Sequence, residues 1–183
     1  MLTHDVASIK EAVIYFNASL LGDGVMVTIL LQMALLFLTV CIDPYILKKQ
    51  KRIIMAIIAL IVTLIVSEVF STWLEDQPER MPARTFLSIY NYAVWPLILL
   101  LLCHIFAPGR KHLVLLILVV INAAVFLTAL FSPVAFYITY DNKYIRGPLG
   151  YTAHIISGII LAYLLYLIIR EIIWRRWLTW YIR

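Results

Sequence analysis

Three groups of side chains in this 183-residue chain place reactive or recognising groups where the surrounding residues are apolar. The first is Glu68, with Ser67, Ser71 and Thr72 beside it. A carboxylate in such a run must face a polar cavity, pair with an arginine, or sit near enough to a frayed end to reach water. The second is Tyr90-Asn91-Tyr92-Ala93-Val94-Trp95-Pro96. Proline inside a helix removes a backbone hydrogen bond and kinks it, which frees the carbonyl near Tyr92. Next to Asn91 and two tyrosines, that kink reads either as a cavity wall or as the aromatic belt that Tyr and Trp form at a membrane surface. The third is the stretch from Tyr137 to Tyr151, where Arg146 offers a planar fork for a carboxylate or phosphate. Four tyrosines and His154 surround it. Glu68 is a candidate internal partner for Arg146, in a clamped loop. The functional alternative is a small-molecule pocket lined by Glu68, Tyr90, Asn91, Trp95, Tyr144, Arg146, Tyr151 and His154.

This chemistry is recognition rather than catalysis. The CxxC, HExxH and P-loop spacings are absent. One acid and two histidines at opposite ends do not form the convergent set a reaction needs. His104 reads as a packing histidine, and Asn122 as a hydrogen-bonding link between helices. Cys41 and Cys103 fall in apolar runs and read as small buried hydrophobes. Asp43, just before Pro44, reads as a helix-end anchor able to meet the Lys48–Arg52 cluster. No catalytic residue, metal site or cofactor is expected.

The elements that hold these residues follow from composition. Apolar residues make up 64% and charged residues 14% of the chain, against about 45–50% and about 25% in soluble domains. Mean hydropathy is +0.97. One small core cannot hide that excess, so hydrocarbon must solvate part of it. A soluble enzyme, a disordered regulator and a disulfide-stapled secreted domain are excluded. Five long apolar segments are present: roughly Val25–Leu47, Ile53–Leu74, Thr85–Ala107, Leu113–Phe131 and Tyr151–Ile169. Each approaches the ~20 residues that a helix needs to cross hydrocarbon. Helices satisfy their own backbone in lipid, and alternating barrel strands are absent. The expected fold is an all-α integral membrane protein, a five-helix transmembrane bundle.

Charge orients it. The net charge is +5, which in a membrane protein marks cytoplasmic loops rather than nucleic acid. Lys48, Lys49, Lys51, Arg52, Arg110, Lys111, Arg170, Arg175, Arg176 and Arg183 fall on one side; Lys10, Arg80, Arg84, Lys143 and Arg146 fall on the other with most of the acids. The N-terminus is therefore expected outside and the C-terminus in the cytoplasm. Residues 1–24 form an outer interfacial segment, with Ile9, Ala12, Val13, Phe16 and Leu20 on one face of an amphipathic helix. Residues 25–171 form the bundle. Residues 172–183 extend the last helix at the cytoplasmic interface, mixing Trp174, Trp177 and Trp180 with arginines. Alternation over Tyr137–Tyr144 predicts a short hairpin turning at Asp141-Asn142, with the last helix starting near Leu149–Thr152.

Two stretches carry a family resemblance: Tyr90 to Pro96 followed by Leu97-Ile98-Leu99-Leu100, and Tyr144-Ile145-Arg146-Gly147-Pro148-Leu149-Gly150-Tyr151. With the span pattern over about Val25–Arg176, the chain resembles the N-terminal membrane sensor region of bacterial, Gram-positive type diguanylate cyclases and histidine kinases. The resemblance implies a bacterial plasma-membrane receptor that binds a small ligand from outside. It implies signalling through the last helix, a homodimer seamed along that helix, and a catalytic output domain elsewhere. The expectation for this chain is an isolated sensor region or a standalone relative, partnered by the bilayer and the ligand. The competing readings are a small transporter or channel, for which repeat symmetry is missing, and a non-catalytic partner-binding subunit.

Overall fold

The computed structural model describes residues 24–181. Its elements are α1 (Gly24–Ile42), α2 (Lys48–Glu75), a 3-10 turn (Pro78–Arg80), α3 (Met81–Phe106) and α4 (Leu113–Leu127), which a second 3-10 turn continues (Thr128–Leu130). A hairpin of β1 (Phe136–Ile138) and β2 (Tyr144–Arg146) follows, and then α5 (Thr152–Tyr181). The amphipathic segment expected over Ile9–Leu21 lies outside the described residues.

Four helical stretches are long and apolar enough to cross a membrane: Lys48–Glu75, Met81–Phe106, Leu113–Leu130 and Thr152–Ile173. A fifth apolar helix is shorter over Val27–Ile42. Folding leaves many large apolar side chains uncovered, among them Leu31 (60% exposed), Val114 (71%) and Ile155 (60%). Surface of that extent is unfavourable in water and is consistent with a membrane protein.

The first apolar run ends earlier than its hydropathy suggests. Helix α1 stops at Ile42, because the residue before a proline is pushed out of the helical region. Asp43 then accepts the Tyr45 N–H on Oδ1 at 2.8 Å, a side-chain turn that competes with the helix. Lys51 Nζ donates to the Cys41 carbonyl at 2.9 Å. The basic cluster thus reaches the end of α1 through a backbone oxygen. Cys103 is buried, whereas Cys41 is exposed on α1; the expectation of a buried side chain fails there, because an apolar run does not tell which of its faces the rest of the chain covers.

The described residues fall into two compact units. One holds the chain up to Asn91 together with Ile138–Ile145; the other holds Tyr92–Tyr137 and the chain from Arg146 onward. In the first unit α1 packs on α2, and Ile57, Ile58, Val69 and Ile89 are buried. In the second, Leu100 and Cys103 of α3, Leu115 and Val119 of α4, and Ile156, Ile160, Leu164 and Leu167 of α5 make a continuous core. The spacing on α5 is that of a single helical face.

The hairpin forms as expected. Thr139 N–H bonds the Lys143 carbonyl at 3.0 Å, and Asn142 N–H bonds the Thr139 carbonyl at 2.8 Å. Asn142 carries φ +56°, a left-handed conformation that asparagine tolerates better than most residues.

Candidate functional site

The second unit gathers four of the expected residues, beginning where β2 ends. Arg146 closes that strand, and the turn Gly147-Pro148-Leu149-Gly150 leads into α5. Gly147 N–H bonds the Ala135 carbonyl and Leu149 N–H the Val134 carbonyl, both at 2.9 Å. The chain closes so tightly that a Cβ at Gly147 would strike the carbonyls of Pro133 and Val134. At Gly150 a Cβ would meet the Arg146 side chain and lie 2.7 Å from the Ala135 oxygen. Glycine is needed here because the Arg146 stem and the backbone just before β1 fill the space.

That packing aims the Arg146 guanidinium over Tyr151, 4.5 Å from the ring centre, within the range of a cation–π contact. Tyr151 stands nearly perpendicular to His154, with ring centres 6.3 Å apart. His154 in turn lies 6.2 Å from Tyr92. Arg146, Tyr151 and His154 are exposed. Tyr92 stacks on Phe126 at 4.6 Å, and Phe126 and Phe136 are fully buried. An exposed cationic and aromatic corner therefore sits on a closed aromatic floor. Trp95, on the same unit, is 58% exposed.

Tyr92 also explains two polar features of the sequence at once. Pro96 has no N–H to give its i−4 carbonyl, which belongs to Tyr92. The side chain of Asn122, fully buried on α4, donates from Nδ2 to that oxygen at 2.9 Å. The expected helix-linking role of Asn122 is thus directed at the carbonyl that Pro96 frees.

The first unit holds Glu68, Tyr90, Asn91 and Tyr144. Asn91 Nδ2 donates to Glu68 Oε2 at 3.1 Å. The Tyr90 hydroxyl shares a hydrogen bond with Thr63 Oγ1. Asn91 Oδ1 and Ser67 Oγ are buried without a partner among the described residues. Tyr144 is half-buried on β2. Glu68 and Arg146 fall in different units; Glu68 accepts from Asn91, and Arg146 lies over Tyr151.

A cluster that the sequence reading missed closes the first unit at the end of α2. Arg84 is buried (7% exposed) and donates to the Asn142 carbonyl, to Asn142 Oδ1 at 3.1 Å and to Glu75 Oε1 at 2.8 Å. Asn142 Nδ2 donates to the carbonyls of Leu74 (2.6 Å) and Glu75 (2.8 Å) at the end of α2, where the Leu74 oxygen also accepts the Gln77 N–H at 3.1 Å. In sequence Arg84 counted only as one of the outer charges, and Asn142 only as a turn residue. Nothing local to either residue signals the pairing.

The arrangement suits recognition of a carboxylate, a phosphate or an aromatic ring at the Arg146–Tyr151–His154 corner. Comparison with protein-family models, characterised proteins and solved structures finds no match for the chain.

Proposed function

We propose that this protein is the membrane-embedded receptor region of a bacterial signalling system. Five helices cross the plasma membrane, with the N-terminus outside and the C-terminus in the cytoplasm. A small ligand binds from outside to Arg146, Tyr151 and His154, with Trp95 of the same unit supplying a further aromatic group. The signal leaves through α5, the seam of a homodimer. Chemistry of output belongs to a separate catalytic domain.

One observation carries the reading. The exposed Arg146–Tyr151–His154 corner is built on the turn and first residues of α5, a helix of 30 residues. At 1.5 Å per residue such a helix is about 45 Å long, well beyond the ~30 Å of hydrocarbon. A ligand that clamps the corner differently in two helix positions shifts the balance between them, and only that difference transmits. The Asn122–Tyr92 bond and the Tyr92–Phe126 stack tie the corner to α3 and α4, so motion at the ligand has packed partners to act against.

The test is a thermal-shift screen of detergent-purified protein against amino acids, nucleobases, carboxylates and small peptides. A ligand at 100 times its Kd adds about 2.7 kcal/mol. The expected result is a stabilising ligand whose effect is lost in Arg146→Ala and weakened in Gly150→Ala, where the arginine stem is displaced. Undiminished binding in both variants would sink this site.

The partner-binding subunit is the second reading. Glu68 favours it, because its side chain is exposed on an apolar helix, where a charge is costly without company. A protein that binds nothing in the screen but is recovered intact only with a co-expressed membrane partner would establish that role.

A further inference from the structure

Two histidines have no part in that receptor reading. His104 lies in the last turn of α3, and His112 immediately precedes α4. Between them the chain reverses through Ala107-Pro108-Gly109-Arg110-Lys111. Gly109 takes φ +96°, and the Arg110 N–H returns to the Ala107 carbonyl at 3.3 Å. This short turn brings the imidazoles edge to face, with ring centres 4.8 Å apart. Tyr163 of α5 stands steeply inclined to His112, with ring centres 5.8 Å apart. His112 is 7% exposed, and His104 is half-buried.

Each ring holds a buried nitrogen with no partner among the described residues: Nδ1 of His104 and Nε2 of His112. A buried polar atom left unpaired costs about 1–3 kcal/mol, and two such atoms on adjacent rings suggest a common occupant. A neutral imidazole carries a lone pair on one of its ring nitrogens, and that lone pair is what a metal takes from histidine.

We propose that His104 Nδ1 and His112 Nε2 bind one divalent transition-metal ion of the zinc, copper or nickel class. The spacing suits one shared ion. With a metal–nitrogen distance of about 2.1 Å, each ring centre stands roughly 3.2 Å from the ion, so centres 4.8 Å apart subtend about 100° there, between square and tetrahedral. Among the described residues no group of three His, Cys, Asp or Glu could hold a metal. Water or a small anion therefore completes the shell, and the site binds more weakly than a four-ligand structural zinc. It is independent of the ligand site at Arg146, which uses other residues.

The experiment is titration of the detergent-purified chain with Cu2+, read by pulsed electron paramagnetic resonance, which counts coordinated imidazoles. The expected result is two imidazoles on the first equivalent of copper, with Zn2+ competing for the position. His104→Gln and His112→Gln should each weaken binding at least tenfold and remove the two-imidazole signal. His4 and His154 remain in both variants, so a signal that persists there belongs to them and overturns the proposal. A wild-type protein that binds no equivalent, or shows fewer than two imidazoles, overturns it as well. Should His112→Gln fail to fold, His104→Gln at the half-buried partner carries the test.

Discussion

A proline within a membrane helix leaves a carbonyl that lipid cannot satisfy, and here one asparagine answers one proline. The Tyr92 oxygen loses its partner to Pro96 and receives Asn122 Nδ2. Replacing Asn122 by alanine should cost about 1–2 kcal/mol, the range for a membrane hydrogen bond plus an unsatisfied carbonyl. Pro96→Ala restores an N–H to Tyr92, so in that background Asn122→Ala should cost less than half as much. Reversible unfolding in mixed micelles measures the cycle, and strictly additive costs would show that the two residues act apart. The sequence displayed both halves of this pair. Helical periodicity tells which residues share a face, but not which neighbouring helix that face meets, so their meeting required coordinates.

Among the elements, the hairpin is more than a connection. Its turn residue Asn142 caps the last carbonyls of α2 while Arg84 of α3 holds Asn142 itself. Two separable properties are involved, the left-handed backbone and the amide. Asn142→Gly keeps the conformation and loses the caps, for an expected cost of about 1–3 kcal/mol. Asn142→Ala also forces a Cβ into the left-handed region, which adds about 1–2 kcal/mol. Thermal unfolding of the two variants checks the order; an alanine variant at least as stable as the glycine variant would mean that the turn is not held at φ +56°. The hairpin itself was legible from alternation and the Asp141-Asn142 signal. Its docking on α2 was not, because Leu74 and Glu75 contribute backbone oxygens, which no sequence pattern marks.

At the scale of the molecule, the proposed orientation rests on which loops carry lysine and arginine. Glu79→Cys and Asp141→Cys, made in a chain lacking Cys41 and Cys103, should react with a membrane-impermeant maleimide in intact cells. Lys49→Cys and Lys111→Cys should react only after permeabilisation. The opposite pattern would reverse the topology and move the Arg146 corner to the cytoplasmic side, leaving the helices unchanged.

What the sequence determined alone was the class of solvent and the class of fold. A chain that is 64% apolar, with runs near twenty residues, has helices as its means of hiding backbone in hydrocarbon, and four such helices with a shorter fifth are present. Turn chemistry also placed the hairpin and the start of α5. Tertiary structure decided the pairings: Glu68 with Asn91, Arg146 over Tyr151, Asn122 on the Tyr92 carbonyl, Arg84 on Asn142, and His104 against His112. The physical reason is that burial depends on one residue and its period, which a sequence records. A hydrogen bond or ring contact depends on two residues whose distance along the chain carries no trace of their distance in space.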